Sequence, residues 1–372
     1  MKRRLIFTLI SAAVLIVLCN IRNIKGCAKG SLMGVRFAGQ GDLEASQPVD
    51  AIRNDELKLN GNPIPYDYLT NTLYVSQNME SPDFEGKLTA DEGELFFLGD
   101  PGDLKDKAEV IRSGKSFKLY LIREDGFSEF NCVFTGMPTI ALYYDEYFDE
   151  SGIRVGRVEI TDPYHTKTGY QEAKCTFRER GASSVVFDKD SYKLTLTDKK
   201  LSLLGMRSDD DWILNSLYDD AGLIHNMLSY RIWNDISASN VHTREGGTNM
   251  EYAEVFYDNQ YVGIYGVLER MDKKELNVKR SEKLYKYIDF YVPVTLSMMP
   301  ECFELKYSKD MDDDMGTMFL WADMFWNHET VDYDEAAGLV NMPNAIDSNI
   351  FTMLTCATDN IYKNQYYIAT RD

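Results

Sequence analysis

Residues 180–196 read RGASSVVFDKDSYKLTL, and the interpretation of the whole chain starts from this stretch. Apolar and polar residues alternate on both sides of its loop, which predicts strands over 173–178 and 192–197. A third alternating segment, 155–160, lies just upstream. The stretch therefore reads as a strand, a short loop of small residues, and a second strand.

The loop and the lysine after it have the composition of a phosphate site. Backbone N–H groups can approach a phosphate closely at small residues, and serine hydroxyls are further donors; the candidates are Gly181, Ser183 and Ser184. Lys189 then enters the next strand, where a protein kinase places the cation that holds the α- and β-phosphates. Because short motifs often match by chance, an ordinary turn followed by a surface lysine is the alternative.

The period of the pattern changes further along the chain. Apolar residues spaced three to four apart predict a helix over 219–236. Two strands follow, over 252–257 and 261–268, joined by an Asp258-Asn259 hairpin turn. After Asp272 the sequence reads as mostly helical. The predicted order is therefore strands, a helix, two more strands and a mostly helical half. A two-lobed protein kinase has this order, although many α+β folds share it.

Six short motifs also follow one another between Arg178 and Glu269. They resemble the spore coat protein H (CotH) kinase family, whose pattern is R-G-x-S-S/T, K-x-S-Y-K/R-L-x-L, L-L-G, D-D-W-x-L, D-x-x-x-x-R-N and Y-V-G-x-Y-x-x-x-E. The matching segments are Arg180-Gly-Ala-Ser-Ser, Lys189-Asp-Ser-Tyr-Lys-Leu-Thr-Leu, Leu203-Leu-Gly, Asp210-Asp-Trp-Ile-Leu, Asp220 to His225-Asn226, and Tyr261-Val-Gly-Ile-Tyr-Gly-Val-Leu-Glu269. The resemblance implies an atypical, bilobed protein-kinase-like domain that uses ATP with Mg²⁺ or Mn²⁺.

The resemblance also implies roles for single residues. Lys189 would hold the ATP phosphates, with Lys193 as the second choice because Asp190 stands where many members carry lysine. The loop of Gly181, Ser183 and Ser184 would cover the phosphates. Glu269 would anchor the linker beside adenine, and a plain strand-end carboxylate is its alternative. His225 stands where arginine is common, and its charge is not guaranteed at neutral pH.

The end of the chain carries a candidate catalytic loop. Asp359 and Asn364 are five residues apart, as are the Asp and Asn of the kinase H-R-D-x-x-x-x-N loop. One carboxylate accepts the proton of the acceptor hydroxyl, and an amide one loop-turn away holds the metal. A strand is predicted directly afterwards, over 365–369. Asp347 and Asn349 are weaker rivals.

One expected group does not appear in the sequence. In CotH-like proteins a metal-binding aspartate, equivalent to that of D-F-G, follows the next hairpin within a W-D-x-D-like segment. This sequence ends at Asp372, so we expect the kinase domain to be incomplete at its C-terminus.

The first residues predict export. Lys2, Arg3 and Arg4 precede an apolar run from Leu5 to Cys19, which has the length of a signal-peptide core and is short for a bilayer span. We expect residues 1–25 to be a signal peptide or an N-terminal membrane anchor, which would put the protein outside the cytoplasm, secreted or at the cell surface. An apolar first helix of a cytosolic domain is the alternative.

Three regions are expected to follow this leader. Residues 26–55 read as a linker, and 56–150 as a small β-sandwich-like domain, because short alternating runs there are separated by turn residues. Residues 151–372 form the kinase-like domain. The predicted fold class is therefore α+β.

Charge and cysteines exclude two classes of function. The net charge is −19, and a field of that sign repels phosphate backbones, so we expect no nucleic-acid partner. The cysteines after the leader lie far apart without C-x-x-C spacing, which argues against a zinc site; they are Cys132, Cys175, Cys302 and Cys356.

Two functional hypotheses remain at this point. The first is an extracytoplasmic kinase that transfers the γ-phosphate of ATP to Ser or Thr of exported or cell-surface proteins. The second is a non-catalytic surface protein, structural or adhesive, that uses the same fold; the acidic charge, the β-rich N-terminal region and His225 all suit it.

Overall fold

A computed structural model describes residues 31–39, 56–124, 126–148, 152–181, 183–241, 244, 246–288, 295–309, 315–326, 328–361 and 363–370. These residues form a mixed α+β structure, as the sequence predicts, and sheet predominates in it. They divide into two compact units. The first holds the described residues up to Asp210 with Leu214–Ser216 and Tyr252–Tyr265, and the second holds the remainder. The predicted leader lies outside the described residues.

The N-terminal part of the first unit consists of two sheets around one core. Its elements are β1 (Ser31–Leu32), β2 (Val35–Ala38), β3 (Leu57–Leu59), β4 (Asn62–Pro63), β5 (Tyr66–Asp67), β6 (Thr72–Ser76), β7 (Leu88–Ala90), β8 (Glu94–Leu98), α1 (Lys107–Ser113), β9 (Ser116–Ile122) and β10 (Phe127–Thr135). The seven-stranded sheet has the order β1-β2-β8-β9-β10-β6-β5, and the smaller sheet has the order β4-β3-β7. Leu57 and Leu88 of the small sheet share one core with Phe97 and Phe134 of the large one.

This sheet begins earlier than the sequence predicts. The expected linker over 26–55 contains β1 and β2, and β2 runs parallel to β8 with Phe37 opposite Phe97. Met33 and Gly34 both have positive φ (50° and 81°), which is the backbone of a tight hairpin turn between β1 and β2. Short strands of this kind give too few alternations to be recognised from the sequence.

A closed barrel follows. Its region contains β11 (Thr139–Phe148), β12 (Ile153–Thr161), β13 (Tyr170–Arg180), β14 (Ser191–Leu196), β15 (Leu201–Ser202), β16 (Ser208–Asp209), β17 (Asp211–Asn215), α2 (His225–Ser239), β18 (Met250–Tyr257) and β19 (Gln260–Glu269). The barrel order is β11-β12-β13-β14-β17-β19-β18, closed by parallel pairing of β18 with β11. Because β11 pairs with β12 along its length, the barrel begins at Thr139, not after the expected boundary at 150.

The predicted hairpin turn is confirmed. The helix that follows β17 begins six residues further along the chain than the sequence predicts. Asp258 and Asn259 have φ of 45° and 63°, as a two-residue hairpin turn requires. The helix expected from Asp219 begins at His225. The Asp220 carboxylate accepts hydrogen bonds from the backbone N–H groups of Gly222 and His225, so a local turn takes the place of the first helical turn.

The end of the second unit is a small sheet with helices, not the mostly helical region expected. Its elements are β20 (Lys283–Tyr287), α3 (Met299–Cys302), β21 (Phe303–Tyr307), α4 (Gly316–Trp326), α5 (Tyr333–Leu339), α6 (Met342–Leu354) and β22 (Tyr366–Ala369), with sheet order β21-β20-β22. Tyr285, Tyr287 and Phe303 are fully buried in its core. Apolar runs this short fit a strand or a buried helix equally well, which explains the error. No helix among the described ranges is long and apolar enough to span a bilayer.

Candidate functional site

Lys189 is the centre of the candidate site. Its ammonium group donates hydrogen bonds to the main-chain oxygens of Ser216 (2.8 Å) and Ile264 (2.6 Å). It also lies 4.3 Å from the centroid of the Tyr265 ring, within the range of a cation–π contact. All four residues belong to the first unit. Main-chain dipoles and a ring face therefore fix the position of this cation.

The K-x-S part of the motif explains how one of these carbonyl groups is held. Ser191, two residues after Lys189, accepts a hydrogen bond from the backbone N–H of Ser216 (2.9 Å). Its hydroxyl also bonds the Ser216 hydroxyl at 3.1 Å. Ser191 thus positions the residue whose carbonyl oxygen receives the lysine.

The Y-V-G-x-Y motif supplies the other side of the site. Gly263 has φ of +101°, and a Cβ atom built there would lie 3.3 Å from Lys189 Nζ. Tyr265 is buried and stacks on Tyr192, the tyrosine of K-x-S-Y, with a centroid separation of 6.3 Å. The fold therefore brings the two motifs together, although they are about seventy residues apart in the sequence.

Replacement of Gly263 by alanine is expected to cost more stability than a matched change elsewhere. The φ value strains any L-residue, at about 1 kcal/mol or more, and the new methyl group also presses on the Lys189 side chain. Gly61→Ala is the control, since Gly61 also has positive φ (84°) but nothing lies within 4 Å of its Cβ position. Urea unfolding should show the larger loss for Gly263→Ala; equal losses would contradict the close contact with Lys189.

The Lys189 ammonium group is desolvated and has no carboxylate partner among the described residues. Burial lowers the pKa of Lys189 to about 8, and no charged group adds to this shift. A half-buried cation without an anion is unfavourable by itself. An incoming anion at this position would relieve that cost.

The small-residue loop lies directly before this lysine in the chain. Gly181 is exposed with φ of +138°, a conformation that favours glycine. Residues Ser183–Val186 form a 3-10 turn, and Ser184 is partly exposed. Lys193 is not part of the Lys189 cluster; it lies in β14, opposite Arg178 of β13. The geometry therefore favours Lys189 over Lys193.

Glu269 is committed to a structural network. It is 2% exposed at the end of β19, and its carboxylate accepts a hydrogen bond from the Asn249 side chain at 2.7 Å. The Asn249 side chain accepts one from the Asn234 amide of α2 at 3.1 Å. Thr248 donates to the Glu269 carbonyl oxygen at 2.7 Å. This arrangement suits the predicted anchoring role better than direct contact with a ligand.

His225 is satisfied locally. Its Nδ1 lies 2.7 Å from Asp220 Oδ1, and its side chain is 79% exposed at the first turn of α2. Burial opposes ionisation of Asp220, but the hydrogen bonds from His225 and Gly222 outweigh it and hold the carboxyl pKa below its usual value. The contacts between Asp220 and His225 therefore stabilise the start of α2.

Asp359 and Asn364 lie in one compact loop. Thr358–Ile361 form a 3-10 turn, and the Lys363 ammonium group pairs with Asp359 at 3.0 Å. Asn364 has φ of +61°, which Asn tolerates better than most residues, and its N–H donates to the Tyr287 carbonyl of β20 at 2.8 Å. The turn thus passes directly into β22, where the sequence predicts a strand.

Both side chains of this loop are accessible. The Asp359 side chain is 65% exposed, and Lys363 is its partner within the described residues. The side-chain amide of Asn364 is exposed and makes no hydrogen bond in the described part of the chain. An exposed carboxylate and an exposed side-chain amide therefore lie on one short loop that is anchored to β20.

Sequence reasoning gave no role to several residues of the lysine cluster. Gly263 and Tyr265 lie within the quoted Y-V-G-x-Y motif, and their glycine and aromatic character was a signal for close packing. The Ser216 carbonyl oxygen had no such signal, because any residue carries one. Lys189 and its partners belong to the first unit, and Glu269, Asp359 and Asn364 belong to the second.

The candidate residues lie in a segment that matches a known protein family. No curated protein matches the chain. The family described as CotH kinase protein matches residues 177–372, more than half of the sequence, and this match includes every candidate residue named above. The chain therefore belongs to the CotH kinase protein family.

Proposed function

We propose that this protein is an ATP-dependent protein kinase of the CotH type. The observation that carries the proposal is the Lys189 ammonium group, which is held by two carbonyl oxygens and a ring face and has no carboxylate partner among the described residues. In a kinase the equivalent lysine holds the α- and β-phosphates. The family match supports the same assignment.

A phosphate group suits this lysine for a physical reason. The ammonium group is desolvated, and a charge-assisted hydrogen bond to an anion is stronger there than in water. The exposed Gly181 and partly exposed Ser184 precede it in the chain, so the 181–184 loop would cover the phosphates.

Asp359 would act as the catalytic base. Its free oxygen would accept the proton of the acceptor hydroxyl, while the Lys363 ammonium group fixes the other side of the carboxylate. Asn364 would hold the divalent metal through its exposed amide oxygen. Mg²⁺ or Mn²⁺, when bound, would neutralise charge that develops on the phosphates.

The location and partners belong to the same proposal. The basic and apolar residues at the N-terminus favour export, so the acceptors would be Ser or Thr side chains of exported or cell-surface proteins. The bilobed kinase-like domain that the CotH resemblance implies would use Lys189 and Asp359 on the same ATP molecule.

Incubation of the full-length protein with labelled ATP and Mg²⁺ tests this proposal against the non-catalytic alternative. The proposal predicts label on the protein itself or on an exported substrate, linked to Ser or Thr. A surface protein that uses the fold without catalysis would bind at most the nucleotide and transfer no label.

ATP affinity should fall as the pH rises through about 8. In the nucleotide-free protein Lys189 has a pKa of about 8. Only its protonated form attracts phosphate, so the association constant for Mg-ATP should decrease towards tenfold per pH unit above pH 8. Calorimetric titrations with Mg-ATP across this range would measure the slope. Lys189→Met should bind weakly with no such slope, and a slope that persists in Lys189→Met would contradict the assignment.

The same pKa shift has a defined effect on stability. The folded state loses the Lys189 proton at about pH 8, whereas the unfolded chain keeps it up to the ordinary lysine value of 10.5. Since the unfolded state binds more protons in that interval, the contribution of Lys189 to stability rises with pH between these two values.

A further inference from the structure

A cavity in the first unit lies far from the lysine cluster. It measures about 170 Å³ and is bordered by β4, the residues after β6 and the β12–β13 connection. Tyr170 lines it at the first position of β13, and the 181–184 loop follows the other end of that eleven-residue strand. At about 3.3 Å per residue, the two ends are roughly 33 Å apart. The cavity is therefore separate from the proposed nucleotide site.

The walls of this cavity are fixed by buried hydrogen bonds. Asp162 is 1% exposed and accepts bonds from the backbone N–H groups of Tyr164 and His165. The Tyr164 hydroxyl donates to the Gly136 carbonyl oxygen at 2.6 Å and accepts from the Met79 N–H at 3.1 Å. The β12–β13 connection is thereby tied to the first sheet, and the cavity is preformed.

Several polar side chains of the lining are unused, and two of these are an amide and a hydroxyl. The Asn62 amide and the Tyr170 hydroxyl make no hydrogen bond within the described residues, while the Gln77 amide beside them is fully occupied by Ser76 and Glu85. Burial raises the pKa of Tyr170, so its hydroxyl stays neutral and can both donate and accept. These groups are positioned for a ligand with hydroxyl groups.

The remaining lining points to the class of that ligand. Pro63 and Pro163 supply apolar surface to the lining, which also contains the rings of Tyr74 and Tyr170. Glu85 and Lys167 carry opposite charges, so a strongly charged ligand would meet a like charge. A cavity of this volume takes roughly a dozen non-hydrogen atoms, about the size of one hexose.

We propose that this cavity binds one ring of a neutral saccharide. The sugar's apolar face would lie against the Tyr170 ring and the prolines, and its hydroxyl groups would exchange hydrogen bonds with the Asn62 amide and the Tyr170 hydroxyl. The proposal is independent of phosphotransfer, since none of the kinase-site candidates lines the cavity.

Saturation-transfer NMR with the full-length protein tests this directly. The probes are glucose, galactose, mannose, N-acetylglucosamine and their β-1,4-linked dimers, each at millimolar concentration, and the strongest binder is then titrated by calorimetry. We expect transfer to at least one sugar. Asn62→Ala and Tyr170→Phe should each weaken its binding about fivefold, the effect of one lost hydrogen bond.

Tyr68→Phe is the matched control, because Tyr68 is exposed on the first sheet and does not line the cavity. It should bind sugar as the unaltered protein does. Tyr170→Phe keeps the ring and tests the proposal even if Asn62→Ala fails to fold. Three outcomes overturn the proposal: no transfer to any of the sugars, equal affinity in all variants, or binding only of a proline-rich peptide used as a competing probe.

Discussion

Asp359→Asn is expected to lower phosphotransfer by about 10²–10⁴-fold in the full-length protein, the usual contribution of a catalytic base. The amide has the size of the carboxylate but does not accept the substrate proton. Folding should be almost unaffected, because the Asp359–Lys363 pair is exposed and such pairs contribute about 1 kcal/mol or less. Initial rates with labelled ATP and a thermal unfolding midpoint measure the two effects separately.

Asp91→Asn provides the matched control. Asp91 also forms an ion pair with a lysine, at 2.7 Å from Lys58, but it lies in the bend between β7 and β8 of the first unit. Its loss should leave phosphotransfer unchanged. If Asp359→Asn kept its activity, the catalytic role would pass to another carboxylate, and Asp347 would be the first to examine.

Lys189→Met is expected to weaken Mg-ATP binding by about 10- to 100-fold. A charge-assisted hydrogen bond contributes about 1.5–3 kcal/mol, and each 1.4 kcal/mol is a factor of ten. The variant also leaves the carbonyl oxygens of Ser216 and Ile264 without this donor, so a stability loss of about 1–3 kcal/mol should accompany it. Calorimetric titration of the folded variant separates affinity from stability.

Two other lysines make this prediction specific. Lys199 is exposed and its side chain makes no hydrogen bond or ion pair among the described residues, so Lys199→Met should bind nucleotide normally. Lys193→Met decides between the two lysines that the motif offered. Wild-type affinity in Lys189→Met with a large loss in Lys193→Met would reverse the assignment.

The sequence predicted which strands and helices surround the site better than it predicted the residues at which they begin and end. The alternating pattern placed β13, β14, β18 and β19, and Asp258-Asn259 identified a hairpin by its preference for positive φ. The start of α2 was wrong because Asp220 offers the backbone a local turn in place of the helix. That competition depends on side-chain geometry, which a hydrophobic period does not record.

Two larger features needed the folded structure. The strands at 283–287 and 303–307 are short apolar runs, and only their pairing with each other and with β22 distinguishes them from a helix. The barrel likewise closes through a parallel pairing of β18 with β11, across more than a hundred residues. Local sequence contains no information about such distant partners.

The candidate site shows the same difference between what local sequence predicts and what only the folded structure reveals. Lys189, Asp359 and Asn364 could be named as candidates from the sequence because their proposed chemistry requires particular side chains at particular spacings. The choice between Lys189 and Lys193 came from contacts with Ser216, Ile264 and Tyr265, which the fold creates. Glu269 was recognised as a motif residue, and the structure adds that it is buried and accepts a hydrogen bond from the Asn249 side chain.

The most direct test of the account measures the protonation of Lys189 itself. In protein labelled with ¹³C-lysine, the ε-methylene signal absent from Lys189→Arg identifies this residue, and its pH titration gives the pKa. We expect the pKa of Lys189 to be about 8 in the nucleotide-free protein. It should rise when Mg-ATP is added, because the phosphates stabilise the charged form of the lysine. A pKa that stays the same with saturating Mg-ATP would contradict the claim that Lys189 receives the phosphates.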